Sequence, residues 1–445
     1  MPTQFRRLTA VALLVLTFFF GTYGTLAHSA PLAEKTPQQT SGPSIVSQPL
    51  TSTTTYTTYL PLVERSTAVV EEFRGLWVTR FDWTRFGYTV TTSDLDTIVN
   101  HAAAAHFNAL LFQVRGTADA YYSSTLEPWA ARLTGTPTKT LGVNPGFDPL
   151  AYLITQAHQS GLQVHAYLNI FPTWLCGVGA PPDNTTPQHL FWTLSHSAAN
   201  WSAWRVYSDP QTPLNIATCA DYVWASPTFS LTRQHIVAVA TDVVSRYEVD
   251  GIHLDLIRYP GLAYSFDPYT MQAFSDALQI TPTLTITDWR PAFQRDQINS
   301  IVQQIYSATT TLKPELLVSA AVWPSYTSGY NAYYQDSKGW LANGLVDANL
   351  PMLYASDILN DLPAWITRTQ EFMAASCGRY VIPGISADYA DFAALTDRIE
   401  AARSLGAPGV ALFSYGALNT HDYWDALAHG PFATLAVVPH PPWKP

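Results

Sequence analysis

Short, nearly continuous apolar runs recur along the chain from Glu71 onward, set apart by longer stretches of mixed polarity. Eight stand out: "FRGLWVTRF", "NALLFQVR", "LQVHAYLN", "DGIHLDLI", "LLVSAAVW", "DANLPMLY", "RYVIPGI" and "GVALFSY". Such runs suit strands buried on both faces of a parallel sheet. The stretches between them carry helix signals. "TSDLDTIVNHAAAAHF" opens on a Thr/Ser cap and an acidic first turn, and "DPLAYLITQAHQSG" ends on a helix-stopping Gly. "PTFSLTRQHIVAVATDVVSRYEV" leads into the fourth run and "LTDRIEAARSLGAPG" into the eighth. Strand and helix alternating in this way predict an α/β protein, a (β/α)8 TIM barrel over residues 71–430. Its excess length falls in the connections after the second, third and fourth strands. An open doubly wound sheet is the competing fold. It carries a Gly-rich phosphate turn after the first strand, and "WVTRFDWTRFG" is not one.

The ends read differently. Residues 1–30 carry Arg6 and Arg7, a long apolar stretch and the small residues Ala27, Ser29 and Ala30, the pattern of a signal peptide. Its length leaves an uncleaved membrane anchor as the alternative, and the chain is expected to be secreted or extracytoplasmic either way. Residues 31–70 are rich in Ser, Thr, Pro and Gln and predict a disordered linker, onto whose end Tyr56, Tyr59 and Leu60 offer packing groups. Residues 431–445 are expected to form a C-terminal tail. Of three cysteines, Cys176 and Cys219 share one long connection and are the expected disulfide in an oxidising compartment, with Cys377 left over. Their spacing is not that of a zinc site.

Composition narrows the partners. Charged residues are 13% of the chain, about half the usual share. The net charge is −10, with no basic run beyond the extreme N-terminus, which argues against nucleic acid. Fourteen Trp and 24 Tyr supply many flat faces of the kind on which sugars stack, though a large α/β core uses aromatics as well. No cofactor motif is present. Asn184 and Asn200 lie in glycosylation sequons.

Side-chain parity then sorts the polar groups. In the fourth run His253 and Asp255 share one face, and the apolar Ile252, Leu254 and Leu256 share the other. The polar pair is expected to point into the barrel, Asp255 nearer the mouth, with Arg258 at the rim. In the third run His165, Tyr167 and Asn169 face inward; in the second, Gln113 and Arg115, followed by Asp119, Tyr122 and Glu127 in the loop. Later runs end in Trp323, in Tyr354 and Asp357, and in Ser414 and Tyr415. Polar and aromatic groups recurring at strand ends point to a site at the mouth. His165 and His253, on adjacent strands, are expected to share it. Arg115 reads equally as a ligand clamp or as the partner of a carboxylate. Asp82, Asp148 and Asp267 sit where helices start and read as caps.

"FRGLWVTRFDW", "FQVRGTADAYYSSTLEPW", "GFDPLAYLITQAHQSGLQVHAYLN", "DGIHLDLIRYP", "GWLANGLVDANLPMLY" and "LFSY" together resemble the glycosyl-hydrolase-like family 10 proteins, from about Glu72 to Tyr415. The resemblance implies a barrel, relatives among glycoside hydrolases, frequent export and, for some members, action on bacterial cell-wall glycan. It also implies that Arg115, Asp119, His165, Asn169, His253 and Asp255 belong to the pocket. Two positions depart from the pattern. Many members carry a second Asp where this chain has Leu256, and Pro and Tyr where it reads Ile170, Phe171, Pro172.

Glycoside hydrolysis uses two carboxyl groups across the scissile bond. Asp255 is the first choice for one, as nucleophile or base, held by His253 and kept ionised by Arg258 or Arg115. For the acid, Asp357, then Asp119 or Glu127, are the candidates. Gln113, Asn169 and Arg258 are expected to contact an oligo- or polysaccharide, with Trp323, Tyr354 and Tyr167 stacking on its rings. Two other readings are a metal-dependent hydrolase using His165, His253 and Asp255, which lacks a first-strand His-x-His, and a glycan-binding barrel without catalysis.

Overall fold

The computed structural model describes residues 70–135, 139–197, 221–262, 264, 268–278 and 291–445. The expected signal segment, almost all of the linker, Cys219, Asn200 and Asp267 lie outside the described residues.

In chain order the strands are β1 Val70–Glu71, β2 Phe73–Val78, β3 Ala109–Arg115, β4 Gln163–Asn169, β5 Pro172–Leu175, β6 Tyr222–Trp224, β7 Gly251–Asp255, β8 Leu317–Val322, β9 Ala348–Pro351, β10 Tyr380–Val381, β11 Gly384–Ser386, β12 Gly409–Phe413 and β13 Ala436–Val437. Nine of them form one parallel sheet in the order β10-β9-β8-β7-β4-β3-β2-β12-β11. Helices including Thr92–Ala104, Pro149–Gln159, Ser230–Arg246, Leu362–Met373 and Phe392–Ser404 supply the crossovers. The eight apolar runs account for all nine strands because the seventh is split. Tyr380 pairs with Ala348 on one side of the break, and Gly384 pairs with Ala411 on the other. Pro383 has no N–H to give to a ladder, so pairing is interrupted there. The curled sheet is therefore not a continuously closed ladder, as the eight-stranded barrel expectation required. Its two edges are consecutive pieces of the chain.

Parity along the strands separates two apolar layers. Leu76, Val78, Leu110, Phe112, Val164, Ala166, Ile252, Leu254, Val318 and Ala320 pack outward in the main core. Phe73, Trp77, Ala109, Leu111, Tyr167, Leu317, Ala348, Leu350 and Ala411 form a second cluster inside the curl. Small residues inside leave room for large ones. At Gly251 a Cβ would lie 2.2 Å from His165 Nδ1, so glycine at that position is what admits the imidazole.

Three residues that precede strands fix the register. Asn108, before β3, accepts the Arg74 N–H of β2 on its side-chain oxygen at 2.8 Å. Asp250, before β7, does the same for Val164 of β4 at 2.8 Å, and Asp347, before β9, for Val318 of β8 at 2.9 Å. In each case the side chain extends the ladder by one acceptor beyond the strand's own backbone.

The long connections build a satellite layer. β5 and β6 pair antiparallel, and Trp174, Leu190, Phe191, Val223 and Phe229 pack into their own cluster. Cys176, at the end of this hairpin, is disulfide-bonded, and Cys377 is free and exposed. Asp148 caps the helix Pro149–Gln159, accepting from the Leu150 and Ala151 N–H groups, as its position in the sequence predicts. The expected tail instead returns to the sheet. β13 pairs with β1, and Trp443 and Lys444 reach the fully buried Asp347 at 2.7 and 2.9 Å. Arg379, at 2.6 Å, and Tyr306, at 3.0 Å, complete the partners of that carboxylate.

Removing a carboxylate that neutralises two cations and caps a strand should be costly. Asp347→Ala is expected to lower stability by about 3–5 kcal/mol, measured by denaturant titration. Loss of less than about 1 kcal/mol would show that the cluster does not clamp the register.

Candidate active site

The interior is built in levels set by strand pairing. The β4–β7 ladder places His165 beside Gly251, Tyr167 beside His253, and Asn169 beside Asp255. His165 is thus near the floor, fully buried, with Nε2 3.2 Å from Gln163 Oε1 and its ring edge-on to Phe73. Burial pushes its pKa down to about 4. His253 lies one level higher. Its Nε2 accepts the Trp77 indole N–H at 3.1 Å, and its Nδ1 is 2.9 Å from Ser319 Oγ. An indole nitrogen only donates, so the His253 proton sits on Nδ1 and points at Ser319. Burial pushes its pKa down to about 3. Both imidazoles are neutral core groups at different depths. They do not meet at one point, and His253 does not hold Asp255, because side chains two apart on one strand sit at successive levels. The trio His165, His253 and Asp255 is therefore spread along the barrel axis. No group of three or more metal-ligating side chains occurs among the described residues.

Asp255 closes β7 at the carboxyl end of the sheet. Tyr167 Oη donates to its Oδ2 at 2.6 Å, and the Leu256 N–H donates to its Oδ1 at 2.6 Å. Leu256 takes a left-handed φ of 51°, which costs a branched side chain energy and turns the chain sharply at the carboxylate. Burial raises the Asp255 pKa, and the Tyr167 hydroxyl and the charges of Arg258 and Arg80 only partly offset it. The expectation that an arginine keeps this group ionised underweighted desolvation.

Arg80 is the residue that parity did not single out. It follows β2 directly and is buried; its N–H donates to Gln113 Oε1 at 2.8 Å and its Nη2 to Tyr222 Oη at 2.9 Å. Its charge acts on Asp255 and Asp119 alike. Asp119 is buried beside it: a Cβ on Gly116 would meet Asp119 Oδ1 at 2.9 Å and Arg80 Cδ at 3.1 Å. Asp119 Oδ1 accepts the Thr117 N–H at 2.7 Å, yet burial again leaves its pKa raised. Inward parity in "FRGLWVTRF" ends with Trp77, and Arg80 lies beyond the strand at the start of the helix Arg80–Trp83, where strand alternation does not reach it.

Other candidates have different places. Arg115 is fully engaged: Nε and Nη2 on Glu127, Nη1 on the carbonyls of Asn169 and Ile170. Glu127 also receives His235 Nε2 at 2.8 Å. Burial would raise its pKa, but the Arg115 charge and the hydrogen bonds from His235 and Arg115 bring it to about 2. Arg115 is thus a carboxylate's partner, and Glu127 is a fixed anion without a proton to give. Asn169 is buried beside Asp255, with its Oδ1 unpartnered. Tyr354 stacks on Phe413 at 4.9 Å and lies in the field of Asp255. Trp323 stacks on Tyr333 at 3.8 Å. Asp357 stands exposed on the turn after β9. Asp82 caps its own short helix and also accepts from Ser414 Oγ and the Gly416 N–H; burial pushes its pKa up to about 6.

A curled parallel sheet under helices, with acidic and aromatic side chains gathered at the carboxyl ends of its strands, defines a barrel-like α/β protein with its candidate site at those ends. The chain belongs to the Glycosyl hydrolase-like 10 family, whose profile matches residues 72–374. Among curated relatives, Glycosyl hydrolase YngK of Bacillus subtilis is 26% identical over 314 residues, 64% of this chain and 54% of its own length. Glycosyl hydrolase DigH of Escherichia coli K12 is 28% identical over 314 residues, 64% of this chain and 66% of its own. The chain thus matches between about half and two thirds of these relatives. In fold it is similar to the PgaB (BpsB) glycoside hydrolase domain of Bordetella bronchiseptica, with a TM-score of 0.61 at 13% identity over 83% of this chain and all of that one. An alpha-L-fucosidase of Paenibacillus thiaminolyticus gives 0.52 at 15% identity, covering 81% of this chain and 49% of its own.

The raised pKa of Asp255 makes a signed prediction. A group whose pKa is higher folded than unfolded destabilises the fold at pH values above its folded pKa, and not below its unfolded value. Asp255→Asn is therefore expected to raise Tm at pH 7, with the gain gone below about pH 4, where the carboxyl is protonated in both states. Equal Tm values at pH 7 would overturn the assignment.

Proposed function

We propose that the chain is an exported glycoside hydrolase that cleaves a polysaccharide at the carboxyl-end mouth of its curled parallel sheet. Bacterial cell-wall glycan is the favoured substrate, by the family's resemblance. The observation that carries the reading is a pair of desolvated carboxylates, Asp119 buried in the loop after β3 and Asp255 part-buried at the end of β7, both in the field of Arg80. Asp255 has donors on both oxygens, Tyr167 Oη and the Leu256 N–H, which favour its anion. It takes the role of base or nucleophile. Asp119 has a raised pKa, and the Thr117 N–H and hydroxyl both donate to its Oδ1; it takes the role of acid. Arg80 stabilises whichever carboxylate is charged as the proton moves. Asn169 and Tyr354 lie against Asp255 as contacts for the sugar.

A second reading, glycan binding without hydrolysis, is favoured by Leu256. The resemblance puts a second Asp at that position, and its absence removes a carboxylate from the mouth.

Reducing-end release from peptide-free peptidoglycan strands and a panel of polysaccharides separates the two. Asp255→Asn and Asp119→Asn are each expected to lower turnover by about 10²–10⁴-fold with folding intact. Glu127→Gln should instead act through stability. Full activity in either Asp variant would remove that residue from catalysis, and binding without release by the parent chain would favour the second reading.

Tyr167→Phe removes the hydroxyl that offsets burial at Asp255. The acid limb of the pH–rate profile is expected to move to higher pH, by about one unit for each 1.4 kcal/mol of hydrogen bond lost. An unmoved limb would show that Asp255 does not set it.

A further inference from the structure

Arg258 stands three residues beyond Asp255, and its surroundings are unlike those of the other arginines at the mouth. Arg115 is paired with Glu127, and Arg80 donates to Tyr222. Arg258 is enclosed by rings: its guanidinium carbon lies 5.1 Å from the centre of Trp323, 5.2 Å from Tyr333 and 5.6 Å from Trp224. These rings come from three separate parts of the chain, the hairpin strand β6, the end of β8 and the segment after the helix Tyr326–Ala332. Gln335 locks the stacked pair, accepting the Trp323 N–H on Oε1 at 2.7 Å and donating to the Ala321 carbonyl at 3.2 Å. The Nε of Arg258 is shut off from solvent and has no hydrogen-bond partner. No carboxylate among the described residues forms an ion pair with it. Asp255 influences it only through its field.

Rings offset part of the cost of burying a cation, but they accept no strong hydrogen bonds. A guanidinium has five N–H donors in a planar fork, a shape that fits the two oxygens of a carboxylate. Here the residue is partly exposed at the mouth, between flat aromatic faces that suit a sugar ring. The chain carries a net charge of −10, so a cation with no ion pair among the described residues, beside the candidate catalytic carboxylate, runs against its overall balance.

We propose that Arg258 is a specificity-determining residue that binds a carboxylate on the glycan, on a sugar next to the one cleaved at Asp255. The inference rests on the hydrolase reading for the cleavage and on the Arg258 surroundings for the acidic group. Two sources share the chemistry: a uronic acid, whose carboxylate is borne on the ring, and a cell-wall amino sugar bearing an ether-linked lactyl group.

The test uses the full chain beside Arg258→Gln and Arg258→Lys. The probes are hyaluronan and peptide-free peptidoglycan strands, each in native form and with its carboxylates converted to methyl esters. Binding and reducing-end release are measured separately. The parent chain is expected to bind the carboxylate form of one probe at least about tenfold more tightly than its ester, the scale of one charge-assisted hydrogen bond. In Arg258→Gln that ratio should fall to near one, with a circular-dichroism spectrum and Tm matching the parent showing that the variant is folded. Arg258→Lys should keep part of the ratio, having charge but no fork. The probe that responds identifies the source. Equal binding of acid and ester by the parent chain, or an undiminished ratio in Arg258→Gln, would overturn the proposal. Discrimination in binding without release would retain it and overturn the hydrolase reading; release without discrimination would do the reverse.

Discussion

Register is the constraint on which the rest of this molecule depends. In a sheet buried on both faces, a slip of one residue exchanges every inward side chain for an outward one. Asn108, Asp250 and Asp347 oppose that slip at the amino ends of three strands, each by accepting an N–H from the neighbouring strand. With register fixed, the levels follow: His165 with Gly251, His253 with Tyr167, Asp255 with Asn169. The Trp77–His253–Ser319 chain of hydrogen bonds then fills the middle level and satisfies a polar group that would otherwise be buried alone.

Above that level, burial competes with charge. Glu127 has a guanidinium and an imidazole in direct contact, and its anion wins. Asp255 and Asp119 feel Arg80 through space and hold only local donors, and desolvation wins at both. The difference between a carboxylate held ionised and one with a raised pKa is thus set here by contact with a cation, not by proximity to one.

Much of this was legible in the sequence. Parity in the second, third and fourth runs placed Gln113, His165, Tyr167, Asn169, His253 and Asp255 on the inner faces, because alternation is a local property of a strand; it failed for Arg115, since the pairing slips after Gln113 and sets Arg115 beside the outward-parity Leu168. Depth was not legible. Whether two inward histidines meet depends on the offset between strands, and that offset is set by the Asp250 clamp. The "FNA", "VDG" and "VDA" steps before three strands carry the clamp as a repeated Asn or Asp, a signal that apolar periodicity passes over. Arg80 was missed because it lies just past a strand, where alternation no longer applies. The split seventh strand was announced by Pro383 inside an apolar run, and the docked end by Trp443 and Lys444 among prolines, which composition alone reads as a tail.

The Arg115 strut has a consequence for how the mouth meets its ligand. It ties the loop after β3 to the end of β4 and, through Glu127 and His235, to the helix Ser230–Arg246. Opening that side of the rim means parting a buried ion pair, so the loop shares the stability of the core and does not behave as a lid. A rim held in this way meets its ligand in a form set in advance, and little ordering entropy is lost on its side when the two come together.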